Sequence, residues 1–349
     1  MAIADRPNLV CFISLMSILP CLLYAQADTP REASTFTFYQ ENDLYTGTDR
    51  DYTSGTKLTW ISADLTEYRK NPNIPRWSYP LIDVLPFVNE PGLQRTLSLS
   101  IGQNIYTPED IMEYILVDGD RPYAGISYLS VGFHSRNSRR MDTLEFDVGI
   151  VGPHSYAEKS HKLIHRWTNS KYPNGWENQI KDEPFLNIYY ERKWKILQSN
   201  NHGFGADLIP HTGCSVGNAL TAVNAGGQLR LGWNLPNDFG TFIIRPGSDT
   251  NAPFDAQDPR FYPDHKRFGM HAFAAFDGYA VLRNIVLDGN LFRESYRVDK
   301  KPFVANLVCG IGLIVNRFKI TYAYVYKTKE FATQDYKQVY GAITFSYTF

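Results

Sequence analysis

Two histidines in the middle of the chain could bind a metal ion or act as a general base. In the stretch HSYAEKSHKLIH, His161 and His165 are four residues apart, which places them on one face of a helix. The stretch lacks period-2 alternation and ends before a Pro-Asn-Gly sequence, so we predict a short amphipathic helix near 155–167. A zinc site is disfavoured because no glutamate follows His161 in the H-E-x-x-H manner. The helix therefore either carries a general base or, if the β-rich chain forms a barrel, fills the space inside that barrel.

Oxygen-rich side chains surround a second candidate site near the start of the mature chain. The stretch YQENDLYTGTDRDYTSG contains Glu41, Asn42, Asp43 and Thr53, and also Asp49 and Asp51. Carboxylate and amide oxygens suit a hard cation such as Ca²⁺, which can polarise an ester carbonyl. We predict Asn42 and Asp43 as its ligands, with Glu41 as a third. The alternative is ordinary turn chemistry, since Asn, Asp and Gly favour turns.

No G-x-S-x-G nucleophile elbow occurs in the chain. If the protein hydrolyses an ester, activated water is the favoured nucleophile. A net charge of −1 with 14% aromatic residues disfavours a nucleic-acid-binding protein.

The amino-terminal segment has the composition of a signal peptide. Arg6 precedes an apolar run from Leu9 to Leu23, and Ala25-Gln26-Ala27 forms a cleavage site. We predict a leader at 1–27 and a single domain at 28–349. Only Cys214 and Cys309 lie in that domain, so at most one disulfide could form between them.

The remaining chain has no run that approaches the ~20 apolar residues of a membrane helix. If it spans a membrane, it must do so as a closed barrel. Its last ten residues, YGAITFSYTF, alternate strictly between bulky apolar and small or polar side chains and end on Phe349. That register resembles the terminal strand of bacterial outer-membrane barrels.

Period-2 patterns and turn signals predict an all-β fold, a transmembrane antiparallel β-barrel of about twelve strands. If both chain ends are periplasmic, the predicted helix and the first connection face outward. The segment 233–266 is predicted as a long loop or as short extra strands. The predicted strands are 34–42, 52–62, 95–105, 124–136, 141–150, 184–195, 203–213, 222–232, 267–285, 303–314, 317–327 and 338–349.

Five segments together resemble the outer-membrane lipid A 3'-O-deacylases, in that family's order and over nearly the whole mature chain. The resemblance implies a twelve-stranded barrel in the bacterial outer membrane, with a site between the wall and an outward loop helix. It further implies calcium-dependent removal of the acyl chain that is ester-linked at the 3'-position of lipid A. The segments are ENDLYTGTDRDYTSG, IGQNIYTPEDI with DRPYAG, VGIVGPHSYAEKSHKLIH with NGWENQIKDEP, GNALTAVNAGGQLRLGWNLP, and LDGNLFRES.

The resemblance also assigns residues. Asn42 and Asp43 match the family's Asn-Asp pair, and His165 matches its catalytic histidine, the base that would activate water. Thr53 is expected to have a supporting polar role. His161 stands where the family often has Gln, and is expected near the substrate.

Basic side chains are expected to contact the sugar phosphates of lipid A, since guanidinium groups bind phosphate in a bidentate manner. The candidates are Arg121, Lys57 and Arg50. For Arg121, an ion pair with Asp118 or Asp120 within its own loop is an equal alternative.

Two other functions are open at this stage. An outer-membrane phospholipase would need a serine nucleophile, for which Ser155 and Ser160 lie nearest to His165 in sequence. A non-enzymatic barrel would use the loop helix as a plug. The expected partners are lipopolysaccharide and membrane lipid, without nucleic acid, and the protein is expected to be a monomer.

Overall fold

The computed structural model describes residues 27–46, 51–72, 74–86, 90–199, 203–263 and 266–349. Residues 1–26 of the expected leader, together with Asp49 and Arg50, lie outside the described residues. Within the described ranges, no helix is long and apolar enough to cross a membrane.

Twelve long strands form a closed antiparallel barrel. β1 pairs with β13, and β6 pairs with β8, so the sheet closes on itself, while the two-residue β7 extends the edge beside β8. The predicted all-β barrel is therefore confirmed, and each predicted strand corresponds to one long strand. The strands are β1 (Thr35–Asn42), β2 (Asp51–Ile61), β3 (Gln94–Thr107), β4 (Ala124–Arg136), β5 (Arg140–Val151), β6 (Glu183–Trp194), β7 (Leu197–Gln198), β8 (Phe204–Gly217), β9 (Leu220–Trp233), β10 (Phe268–Asn284), β11 (Phe303–Val315), β12 (Phe318–Lys327) and β13 (Gln338–Thr348).

Side chains alternate between the lumen and the outer surface because successive residues of a strand point to opposite faces. In β12, Lys319 and Thr321 are buried in the lumen, whereas Ile320, Tyr322 and Tyr324 are exposed on the outer surface. The outer surface is thus apolar and aromatic where the inner one is polar.

The connection between β9 and β10 folds back into the lumen. We call residues 234–267 the lumen segment; its described part contains one 3-10 turn, Pro259–Phe261, and no strand. Most of its side chains are buried, including Phe239, Asp249 and Asn251. Of the two predictions for 233–266, the structure shows the long loop, but inside the barrel rather than beyond it.

Ion pairs join the lumen segment to the wall. The Asp238 carboxylate accepts from Arg230 at 2.5 Å and from Lys319 at 2.6 Å, and Arg260 within the segment approaches it at 3.2 Å. Asp249 lies 2.8 Å from the Lys57 ammonium. Buried charges persist only when they are paired, so these contacts hold the segment in one position.

The described ranges contain three helices, each in a connection between strands: α1 (Tyr79–Val84), α2 (Ala157–Thr168) and α3 (Ile285–Asp288). α2 is the predicted loop helix. α3 buries Ile285, Val286 and Leu287 at the same end of the barrel.

We expect Asp238→Asn to lower the free energy of unfolding by about 3–5 kcal/mol, because three buried cations lose a shared carboxylate. Heat-induced mobility shift on gels and guanidinium unfolding in detergent would measure this. Glu67→Gln, which removes an exposed pair with Lys70, should change stability by less than about 1 kcal/mol. Equal stability of the two variants would contradict the role given to Asp238.

Candidate active site on the outer face of the barrel

The outer surface of β1–β4 changes from apolar to polar near the end that carries α2. In antiparallel strands, directly opposed residues point to the same face. One row across the four strands is apolar: Phe38, Leu58, Ile101 and Leu129. A second row lies two residues nearer the barrel end, and we call it the outer polar row. It consists of Gln40, Thr56, Gln103 and Ser127. The third row, nearest the end, is Asn42, Ser54, Ile105 and Gly125.

Hydrogen bonds fix the side chains of the outer polar row. Thr56 Oγ1 donates to Gln40 Oε1 at 2.8 Å, and Gln40 Nε2 donates to Ser54 Oγ at 3.2 Å. Gln103 Nε2 and Ser127 Oγ each donate to the Ser155 carbonyl at 2.7 Å. The row therefore anchors the segment that leads into α2.

Helix α2 lies against this outer face, packed on β3 and β4. Ala157 packs with Ile105 and Trp176 in one buried cluster. A Cβ atom on Gly125 would stand 2.2 Å from the Ala157 Cβ and 2.3 Å from Ser155 Oγ, so only glycine permits the approach. The helix is thus outside the wall, and the lumen is filled by a different segment. The alternative in which α2 plugs the barrel does not match this arrangement.

The inward side of α2 carries the two histidines. Ala157, His161 and His165, at successive intervals of four residues, are its buried residues. The helix ends at Thr168, and the following residue, Asn169, has a left-handed backbone with φ of 54°. The chain then turns back, and His165 Nδ1 lies 2.5 Å from the Lys171 carbonyl. A carbonyl only accepts, so Nδ1 carries the proton, and Nε2 is the basic nitrogen of the neutral ring.

His161 is held in the opposite tautomer by a different partner. Trp176 Nε1 donates to His161 Nδ1 at 3.2 Å, which leaves the proton of the neutral ring on Nε2. That Nε2 is buried without a hydrogen-bond partner among the described residues. Burial, with smaller contributions from His165 and Lys162, lowers the pKa of His161 to about 3. The rings of His161 and His165 are 4.2 Å apart, so a neutral donor stands beside a basic nitrogen.

The predicted oxygen ligands fall on both sides of the wall. Asn42 lies on the outer face, and its Oδ1 accepts from the Leu44 N–H at 2.7 Å. Asp43 is buried at the start of the following 3-10 turn. Glu41 faces the lumen, where its carboxylate accepts from the Ile244 N–H at 2.5 Å. The prediction that Glu41 shares a cation with Asn42 therefore needs correction, because β1 separates them.

Thr53 lies on the outer face where the pairing of β2 with β3 shifts register. Its hydroxyl is 2.8 Å from that of Thr107. Across the described ranges, no group of three or more His, Cys, Asp or Glu side chains is placed to hold a metal ion.

The two described basic residues expected at the substrate are engaged elsewhere. The Lys57 side chain is 1% exposed and faces the lumen, where it pairs with Asp249. Arg121 donates to Glu330 at 3.1 Å and lies 4.0 Å from Asp51. Its guanidinium forms no ion pair with Asp118 or Asp120, contrary to the alternative stated for Arg121 from the sequence. Both cations hold parts of the protein together, so we correct the expectation that they contact phosphate.

The remaining sequence candidates are also located. Ser155 Oγ donates to the Gly152 carbonyl, and Ser160 Oγ to the Tyr156 carbonyl. Neither hydroxyl is hydrogen-bonded to His165. Cys214 and Cys309 are both free thiols, so the possible disulfide is absent.

Sequence reasoning missed the outer polar row, although a signal was present. In TFTFYQEN the outward positions run Phe36, Phe38, Gln40 and Asn42, so the apolar alternation stops two residues before the strand ends. The same break occurs after Leu58 toward Thr56 and after Ile101 toward Gln103.

The sequence matches one family of outer-membrane proteins, and the fold is similar to that of a solved member of that family. The family described as "Outer membrane protein LpxR" matches residues 9–349. No curated protein matches the chain. The structure of LpxR from Salmonella typhimurium is similar, with a TM-score of 0.66 and 20% identity over 90% of this chain and 99% of that one. The β-domain of the Bordetella autotransporter BrkA gives a TM-score of 0.38 and 10% identity over 91% of this chain and 98% of that one.

We expect Gly125→Ala to displace α2 from the wall, because the added Cβ meets the Ala157 Cβ at 2.2 Å. Overpacking of this kind costs about 1–3 kcal/mol. Limited proteolysis should then cleave within 152–182 faster than in the parent protein. Gly227→Ala, where the nearest atom is 3.2 Å away, is the matched control; equal cleavage of both would contradict the close packing.

Proposed function

Because the chain belongs to the LpxR family of outer-membrane proteins, we propose that it hydrolyses the 3'-O-linked acyl, or acyloxyacyl, ester of lipid A. The protein is an integral outer-membrane protein. Family membership supports the broader activity, an outer-membrane enzyme that modifies lipid A. The acyl position, the base and the calcium requirement are our proposal.

The observation that carries the proposal is the placement of His165. It is buried on the side of α2 that faces the outer surface of the wall, with its Nδ1 proton bound by the Lys171 carbonyl. An ester whose acyl chains lie in the outer leaflet approaches the barrel from this side. A site in the lumen would not be reached by such a substrate without crossing the wall.

The reaction then needs one proton transfer in each direction. His165 Nε2 takes a proton from water as the water oxygen attacks the ester carbonyl carbon. The tetrahedral intermediate carries the charge on the former carbonyl oxygen. When it collapses, the bond to the sugar oxygen breaks, and the His165 proton passes to that oxygen. The products are the fatty acid and a 3'-hydroxyl.

His161 is positioned to assist this step. Its Nε2 proton is a buried donor beside the base, and Trp176 prevents the ring from turning over. A donor of this kind stabilises an oxyanion because no reorganisation is needed during the reaction. We therefore assign the substrate contact predicted for His161 to the ester carbonyl, while Asn42 and Thr53 line the outer face with supporting polar roles.

Calcium is retained as a proposed cofactor with a smaller ligand set. Asn42 and Asp43 supply the amide and carboxylate oxygens that Ca²⁺ prefers; Glu41 is withdrawn. Bound there, the ion would polarise the ester carbonyl.

The two competing functions lose support from particular contacts. A phospholipase with a serine nucleophile would need a hydroxyl aimed at His165, but Ser155 and Ser160 donate to backbone carbonyls. A plugged channel would place α2 in the lumen.

We expect His165→Ala to reduce hydrolysis at least about 100-fold, because the proton acceptor is lost. Mass spectrometry of lipid A from cells that express each variant would show whether the 3'-linked acyl mass is retained. Ser160→Ala, on the same helix, should leave hydrolysis unchanged. Wild-type hydrolysis by a folded His165→Ala barrel would overturn the assignment.

His161→Gln should keep most of the activity, since an amide also donates, whereas His161→Phe should lose about 100-fold or more. With its pKa lowered to about 3, His161 stays neutral between pH 5 and 8. The rate profile between pH 5 and 8 should therefore have the same shape in wild type and His161→Gln. If the wild-type rate changes with pH in a range where the rate of His161→Gln does not, His161 titrates during turnover, and the assignment of a neutral donor is wrong.

Removal of calcium tests the cofactor separately. We expect EDTA to abolish hydrolysis and added Ca²⁺ to restore it, with Asp43→Asn needing a higher Ca²⁺ concentration for half-maximal rate. Glu41→Gln should leave that concentration unchanged because its carboxylate faces the lumen. Full activity in EDTA would remove calcium from the proposal.

A further inference from the structure

A groove of about 810 Å³ lies on the opposite part of the outer surface, over β8–β12. Its floor is a row of small residues in register across four strands. Thr212 is paired with Ala225, Ala225 with Gly278, and Gly278 with Ala305. The four strands thus have no bulky side chain at this level, which leaves a depression in the outer surface of the wall.

Larger apolar side chains border the floor on both sides. Phe303 and Val223, nearer the barrel end, are 75% and 56% exposed. Phe276 and Tyr326 border it on the membrane side. Large apolar side chains on such an outward surface face hydrocarbon in a membrane barrel, so the groove offers an apolar surface to an acyl chain.

Three lysines stand at the end of the groove, on the side of the barrel that carries α2. Lys301, Lys329 and Lys337 all line it. Neighbouring Lys300 and Lys327 are paired with Asp288 and Glu330. In the part of the chain that the structure describes, Lys301, Lys329 and Lys337 have no carboxylate partner. Lys337 instead extends over the Tyr326 ring, with its Nζ 5.3 Å from the centroid.

We propose that this groove binds a phosphorylated lipid of the outer leaflet, as a second site separate from the cleft under α2. An acyl chain lies over the small-residue floor, and a phosphate of the headgroup contacts Lys301, Lys329 and Lys337. The charge of the lysines selects an anionic headgroup, since each basic residue near an anionic lipid surface adds to binding. The site does not depend on the proposed hydrolysis, because α2 packs on β3 and β4.

Native mass spectrometry of the full-length barrel in detergent, titrated with bisphosphorylated lipid A, tests the proposal. The His165→Ala variant is used as the parent so that the lipid is not consumed. We expect K329Q/K337Q to weaken binding at one site by about tenfold or more. The control K70Q/K266Q makes the same charge change at lysines outside the groove, and should bind as the parent does.

A second pair of variants tests the floor. Ala305→Phe fills the groove and should abolish binding at the same site, whereas Ala274→Phe places the ring on an exposed outward position of β10 outside it. Equal binding by K329Q/K337Q and K70Q/K266Q would overturn the proposal. Equal binding of dephosphorylated lipid A would also overturn the proposal, because the lysines would then not recognise a phosphate. Hydrolysis by the wild-type chain, measured in parallel, reports on the proposed function independently.

Discussion

The closed hydrogen-bonded wall gives each strand residue only two destinations, the lumen or the outer surface. Closure is what satisfies the backbone of every strand where no water is present. Glu41 and Asn42 are neighbours in sequence, yet one accepts from the lumen segment and the other faces the membrane side. Every functional assignment in this protein depends on whether the side chain lies on the lumen side or on the outer surface of the wall.

The lumen segment supports the site from behind. A barrel of twelve strands encloses more space than its own inward side chains fill, and here the β9–β10 connection occupies it. Asp249 binds Lys57 and Thr59 on β2 and Ser100 on β3, and Ile244 binds Glu41 on β1. These are the strands that carry Gln40, Thr56 and Gln103 outside. A wall fixed on its inner side is a rigid support for the outer polar row, and catalytic sites need such rigidity.

The cleft between α2 and the wall combines two histidines with complementary roles. The Lys171 carbonyl and the Trp176 indole select opposite tautomers of the two rings, because the carbonyl accepts a hydrogen bond at Nδ1 of His165 whereas the indole donates one to Nδ1 of His161. In His165 the basic Nε2 suits proton abstraction. In His161 the buried Nε2 proton suits stabilisation of negative charge. Two copies of one side chain thus serve different purposes because their hydrogen-bond partners differ.

The sequence by itself determined the barrel, its twelve strands and the short helix at 155–167, because alternation and its interruption are local patterns. It also identified the histidines and the Asn-Asp pair as chemically suited residues. Only the tertiary structure decided that the helix packs outside the wall, that Lys57 and Arg121 are bound by distant carboxylates, and that the segment after β9 fills the lumen. Asp249 is far from Lys57 in the chain, and no local pattern encodes such a pairing. It forms because a buried charge must find a partner, and closure of the barrel determines which partners are within reach.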